Sequence, residues 1–207
     1  STDSAFAHEP LASLGDSLAL CRMRSTASGS TAHGIPVGAT EVPYLILIEA
    51  DEQGSARHIE IFGDDKLGDA VVSLYERYAE LLPEGAERRR AAATARSVAA
   101  WSGLPDLERM EDSVASSFEC ADHRPFHTWS SRGRDEWLQH WRTWLSDVTT
   151  DQRLRDDELL ALEPTAFLVR RAYLGTDRRG GGAYENLLLV LLAFDADGLL
   201  ARVEGFE

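Results

Sequence analysis

The chain is 207 residues long, with 43% hydrophobic and 27% charged residues, a globular composition that argues against disorder and leaves room for one or two domains. Lys and Arg total 21 against 35 Asp and Glu, a formal net charge of −14. Such a field argues against a nucleic-acid partner, because phosphate binding needs an extended basic surface and only Arg88–Arg90 and Arg178–Arg179 cluster here. No apolar run approaches the roughly 18 residues of a membrane span. Cys21 and Cys120 stand in unrelated contexts without metal-ligand spacing, which suits a reducing compartment. No export signal is visible at the start, so the expected location is the cytoplasm, with neither membrane nor nucleic acid as partner.

In chain order, Leu18-Ala-Leu-Cys-Arg22 opens a first strand, and the glycine-rich stretch Gly29–Gly38, including Gly29-Ser-Thr31, reads as a loop. Glu41-Val-Pro-Tyr-Leu-Ile-Leu-Ile-Glu-Ala-Asp-Glu-Gln-Gly54 through Phe62 is a buried strand, an Asp-x-x-Gly turn and a second strand. A helix capped by Asp64 or Asp65 then runs to Leu82, with Leu67, Ala70, Val71, Leu74, Tyr75 and Tyr78 on one stripe. Pro83-Glu-Gly85 ends it. A second helix spans Ala86 to Trp101, Gly103–Pro105 interrupts, and a short third helix runs from Asp106 to about Ser116. Phe118 to Arg124 reads as a strand. From Gly133 to about Val148 a helix buries Trp137, Leu138, Trp141, Trp144 and Leu145. Strands at about 153–162, 165–174, 184–194 and 199–206 close the chain.

The end of the chain repeats its beginning. Glu185 through Gly198 and on to Phe206 matches Glu41 through Gly54 and on to Phe62, with Asp195 opposite Asp51 and Glu204 opposite Glu60. Ala166-Phe-Leu-Val-Arg170 likewise matches Leu18–Arg22. The first copy reads as three strands without the helices that precede Arg170, so one face of its sheet is left bare. Either the natural protein continues upstream or another chain covers that face. The expected division is a partial repeat at 1–64, a connecting helix at 65–83 and a complete domain at 84–207.

The order of elements, with Phe118-Glu-Cys-Ala-Asp122-His123-Arg124-Pro125, Ser131-Arg-Gly-Arg-Asp135-Glu136 before the Trp-rich helix, the Asp195-Ala-Asp-Gly198 hairpin and Glu204-Gly-Phe206, resembles the SnoaL-like family of the nuclear-transport-factor-2-like superfamily. That resemblance covers about 120 residues of the second copy and, more weakly, residues ~12–82. It implies an α+β fold: a cone-shaped curved antiparallel sheet packed against three N-terminal helices, with a partial second copy at the N-terminus. Tyr75-Glu-Arg-Tyr78-Ala-Glu-Leu-Leu82 and Arg88–Trp101 also resemble modules at the C-terminal ends of large actinobacterial signalling proteins. Family members include polyketide cyclases, isomerases, epoxide hydrolases, binding modules and assembly domains, so the fold does not choose among them.

Within such a cone, Trp137, Trp141 and Tyr173 are candidates to stack on a flat apolar ligand, or else are core, and Arg170, Glu185 and His123 are the polar candidates for ligand binding. Asp122 and Arg124 share a strand face while His123 points away. Asp122 could serve as acid–base with Arg124 as electrostatic partner, or the two could simply pair. His123 and His127 lack a third ligand for a metal. Glu185 enters an apolar strand and could act as an acid or pair with Arg170, as Glu41 could with Arg22. There is no phosphate loop or nucleophile elbow, and no cofactor is expected. Three readings follow: a small apolar-ligand-binding or assembly module of a larger cytoplasmic, actinobacterial regulatory protein; a cofactor-independent cyclase, isomerase or epoxide hydrolase; or a structural dimerisation domain. The expected partners are a small apolar molecule and either a second copy, the other repeat of the same chain, or an upstream part of the same protein.

Overall fold

The computed structural model describes residues 3–28, 31–32, 35–36, 40–125 and 127–207. Strands β1 (Asp3–Leu14), β2 (Leu18–Ser28), β5 (Thr40–Ala50) and β6 (Ala56–Gly63) form a four-stranded antiparallel sheet, with a small hairpin, β3 (Thr31–Ala32) and β4 (Ile35–Pro36), between β2 and β5. The expected loop Gly29–Gly38 otherwise lies outside the described residues. Helices α1 (Leu67–Leu81), α2 (Ala86–Ala100) and α3 (Leu107–Ser113) follow, then β7 (Val114–Asp122), β8 (Ser131–Arg132), α4 (Arg134–Thr143) and one π turn (Trp144–Val148). The chain closes with β9 (Thr149–Glu163), β10 (Ala166–Asp177), β11 (Ala183–Phe194) and β12 (Leu200–Phe206). These join β7 and β8 in a six-stranded sheet of order β8-β7-β12-β11-β10-β9, antiparallel except where β12 meets β7. The α+β class and the order of helices before a meander stand as the sequence reading has them. No helix among the described residues is long and apolar enough to cross a membrane.

Several boundaries differ for local reasons. Neither Asp64 nor Asp65 caps α1: Lys66 occupies that position without a side-chain bond, and Asp64 instead accepts Arg22 Nε at 2.8 Å. The helix stops one residue early because Leu82 precedes Pro83 and is extended, as the proline ring demands. Asp106 does cap α3, accepting the backbone N–H groups of Glu108 and Arg109. That helix ends at Ser113 and β7 begins at once, earlier than expected. The Trp-rich helix is α-helical only to Thr143, and the π turn beyond it leaves Trp144 and Leu145 partly buried rather than core.

Helix α1 joins the two sheets. It packs on β2, β5 and β6, covering Leu18, Leu20, Leu45 and Leu47, all at most 2% exposed. Its Arg77 binds the buried Glu49 at 2.6 and 2.7 Å. On the other side Tyr75 meets Phe167 and Phe194 and donates its hydroxyl to the carbonyl of Glu163 at 2.6 Å. One hydrophobic core therefore runs from Leu14 to Val203 across the turn at Pro83–Gly85.

The two meanders, β1-β2-β5-β6 and β9-β10-β11-β12, pair in matching register. Arg22 lies opposite Leu45 and Arg170 opposite Leu189; Leu45 lies opposite Phe62 and Leu189 opposite Phe206. Each first strand carries a bulge at the matching place, Leu11 facing Leu20 and Cys21, and Leu160 facing Leu168 and Val169. In both turns the aspartate accepts two backbone N–H groups, Asp51 from Gln53 and Ser55, and Asp195 from Asp197 and Leu199. The first sheet thus has four strands, not the three expected, because β1 supplies an edge before Leu18.

The sheets differ in which face is covered. Val190, Leu192 and Val203 of the second sheet are buried, whereas the matching Ile46 and Ile48 are partly exposed and Ile59 is 50% exposed. Phe6 (69%) and Ile61 (68%) extend this bare apolar face. Gly198 presses on α2, where an added Cβ would meet Arg90 O and Thr94 N at 2.6 Å, while the matching Gly54 has nothing within 4 Å.

Candidate functional site

The second sheet and α4 enclose a cavity of about 110 Å³. Strand alternation sets its floor: Tyr184, Asn186, Leu188 and Val190 point in from β11, and the residues between them point out. Helical spacing sets its roof, since Trp137 and Trp141 are one turn apart on α4 and both buried. Trp129 from the loop after β7, Trp144 from the π turn and Tyr173 from β10 complete an aromatic wall. These rings touch one another, with Trp129 5.8 Å from Trp141 and 5.2 Å from Trp144, and Tyr173 6.4 Å from Trp141. Beneath them Trp137 lies against Trp101 at 5.7 Å and Phe118 at 5.1 Å.

At the mouth, Asp122 and Arg124 form a closed pair. One carboxylate oxygen accepts Arg124 Nε at 2.8 Å and the Arg124 backbone N–H at 3.1 Å; the other accepts Arg124 Nη2 at 2.9 Å and the Trp129 N–H at 3.1 Å. The guanidinium's hydrogen bonds, with help from the two backbone donors, outweigh the opposing effect of burial and hold the Asp122 carboxyl at about 2. A carboxylate that is ionised, four times bonded and far from neutral pKa is poorly placed to exchange protons with a substrate near pH 7. Burial pushes the Cys120 thiol and the Tyr173 hydroxyl each up to about 12, so both stay protonated. Farther from the mouth, Tyr184 donates to Thr149 Oγ1 at 2.9 Å and also bonds Gln152, which accepts Trp144 Nε1 at 3.0 Å.

Of the residues singled out in the sequence, Asp122, Arg124, Trp137, Trp141 and Tyr173 meet in this cavity. His123, Arg170 and Glu185 do not. His123 turns away, stacks on Phe206 at 4.6 Å and faces Glu204 at 3.0 Å. His127 directs Nδ1 to the Asp122 carbonyl instead of towards His123. Glu185 pairs with Arg155 at 2.7 Å, and Arg170 with Glu158 at 3.0 Å. The expected Glu185–Arg170 pair fails because Glu185 lies opposite Leu174, four residues along the strand from Arg170. Glu41–Arg22 fails in the same way: Arg22 binds Asp64, and Glu41 is nearer Arg24. Sequence reasoning missed Trp129, Trp144, Tyr184 and Asn186. Alternation back from Val190 would have found the last two; a loop residue such as Trp129 carries no periodicity to betray it. It also missed Arg171 and Asp156, a buried bidentate pair at 2.6 and 2.9 Å that crosses from β10 to β9.

No protein-family model matches the chain, and no curated protein matches its sequence. Solved structures do resemble it. A nuclear-transport-factor-2-like protein from Burkholderia thailandensis is 21% identical, with TM-score 0.43, over 60% of this chain and 91% of that one. The Δ5-3-ketosteroid isomerase of a Mycobacterium species is 17% identical, with TM-score 0.44, over 57% and 92%. A Mycobacterium tuberculosis protein in complex with estradiol-17β-hemisuccinate is 13% identical, with TM-score 0.44, over 60% and 95%.

Proposed function

We propose that this chain is a small-ligand-binding module whose ligand is flat and largely apolar. The observation that carries the reading is the cavity under Trp129, Trp137, Trp141 and Trp144, since concave sites walled by aromatic side chains with a few placed polar groups are where small molecules bind. Its volume, about 110 Å³, is below that of the roughly 150 Å³ apolar cavity that admits benzene, so a single ring is the largest unit it would hold and any substituent would project through the open mouth. Isothermal titration with uncharged one-ring compounds should detect binding that Leu188→Trp, at the mouth, abolishes. If no compound binds, or if the variant binds equally well, the reading is wrong. The catalytic alternative, with Asp122 as acid–base and Arg124 as its partner, gains little from a carboxylate so fully bonded. An Asp122→Asn variant that lost turnover of a bound ligand while still binding it would restore that alternative.

A second reading is assembly, and the bare face of the first sheet supports it. Four strands about 4.8 Å apart and about eight residues long, at about 3.3 Å per residue, offer roughly 500 Å². Two copies packed through this face would bury about 1,000 Å², the lower limit of a specific interface. Such a pairing suits the module expected within a larger cytoplasmic protein. Sedimentation velocity at micromolar concentrations should show a dimer that Ile61→Lys converts to a monomer with an unchanged far-ultraviolet circular dichroism spectrum. A monomer at every concentration would refute self-pairing and leave the face for a helical layer like the one that covers the matching face of the second sheet.

A further inference from the structure

The cavity carries two buried donors that no acceptor among the described residues meets. Trp137 and Trp141 are 4% and 2% exposed, both line the cavity, and neither indole N–H has a hydrogen-bond partner among the described residues. Buried tryptophans normally find a partner for that donor, and leaving one unpaired forfeits the water bonds it makes in the unfolded chain. Two such orphans on consecutive turns of one helix, over one cavity, point to what the cavity holds. Asp122 is already engaged by Arg124 and Trp129, and the Gln152 oxygen by Trp144 and Tyr184, and neither indole bonds Asn186 or the Tyr173 hydroxyl, which share the lining. Tyr173, kept protonated by burial, adds a hydroxyl to the same wall. Charge is closed as well, because the Asp122 carboxylate and the Arg124 guanidinium neutralise each other at 2.8 Å. A charged ligand would have to lose its water with no free counter-charge to meet it.

Resting on the ligand-binding reading, we propose that the cavity takes a neutral, flat ring compound bearing a carbonyl- or ether-type oxygen, which accepts the indole N–H of Trp137 or Trp141. The aromatic wall supplies affinity through ring contact, and the two indole donors select an acceptor-bearing ring over a plain hydrocarbon. Asn186 and Arg124 at the mouth contact whatever projects from the ring.

Acetophenone and ethylbenzene are suitable probes, alike in shape and different in the acceptor. In ¹H–¹⁵N spectra of the whole chain, acetophenone should move the indole cross-peak of Trp137 or Trp141 downfield, and ethylbenzene should not. Trp137→Phe and Trp141→Phe assign the two peaks. The acetophenone-to-ethylbenzene affinity ratio should fall about 3–10-fold in at least one of these variants, the worth of a hydrogen bond. If both probes bind in the cavity but no indole peak moves downfield and the ratio stays constant, the acceptor inference is overturned while the ligand-binding reading survives. If neither probe perturbs the cavity residues, both fall together. The indole shift is read in the unmodified chain, so a variant that fails to fold does not spare the proposal.

Discussion

Asp122 is ionised because of its four donors, and the consequence reaches beyond the site. Its carboxyl sits at about 2 in the folded chain against an ordinary 3.8. A depressed folded value means that the stability it contributes is complete above the ordinary pKa and is lost as pH falls through about 2. Urea denaturation between pH 4 and pH 2 should therefore show a loss of up to about 2 kcal/mol traceable to this group. In Asp122→Asn that part of the acid limb should vanish, and stability at pH 7 should drop by roughly 1–3 kcal/mol. An acid limb of unchanged steepness would mean that the Arg124 pair is not maintained in solution. At this scale the sequence located the right pair, since Asp122 and Arg124 are two residues apart and a local bond needs no fold to bring them together. The pairs that do not form, Glu185 with Arg170 and Glu41 with Arg22, are both cross-strand, where partners depend on a register that no single strand encodes.

The two β-turns offer an internal control at the level of elements. Gly54 and Gly198 have nearly the same positive φ, +78 and +80, and an added Cβ strains either backbone. Only Gly198 also presses against α2, whose Ser97 hydroxyl donates to its carbonyl at 2.8 Å. Gly54→Ala should cost about 1–2 kcal/mol from the left-handed conformation alone. Gly198→Ala should cost about 1–3 kcal/mol more, since backbone atoms of α2 would have to move. Thermal or urea denaturation of the two variants reads the difference; equal losses would mean that α2 is not seated on the turn. Periodicity placed the helices and most strands within a few residues. It missed β1, whose apolar positions Phe6, Leu11 and Leu14 are interrupted by a bulge at Leu11, and a bulge shifts the alternation on which a strand assignment relies.

For the whole molecule, the matching registers make one substitution mean two things. Ile59 and Val203 hold matching places in the two sheets, one 50% exposed and the other 7% exposed. At concentrations where the chain is monomeric, Ile59→Lys should change stability by no more than about 0.5 kcal/mol, as surface substitutions do. Val203→Lys should cost more than about 3 kcal/mol, because it buries an unpaired charge against the cavity wall. The same pair of variants should differ in binding of an environment-sensitive dye such as anilinonaphthalenesulfonate. Ile59→Lys should reduce it by removing apolar surface, while Val203→Lys should raise it by loosening the core. A large loss of stability in Ile59→Lys would show that the face is covered in solution.

By itself the sequence determined the kinds of element, their order, the α+β class and the two Asp-x-x-Gly hairpins, because each is written in residues a few positions apart. It also named five of the cavity's residues: Trp137 and Trp141 on α4, Tyr173 on β10, and the Asp122–Arg124 pair. Only the tertiary structure decided that α1 serves both sheets through one core, that Trp129, Trp144, Tyr184 and Asn186 close the cavity, and that Arg171 and Asp156 pair in the interior. Those outcomes turn on which strand face is covered and which residues lie across from each other. Burial and register are properties of the assembled layers, so nearly the same apolar alternation produced a walled cavity in one sheet and a bare face in the other.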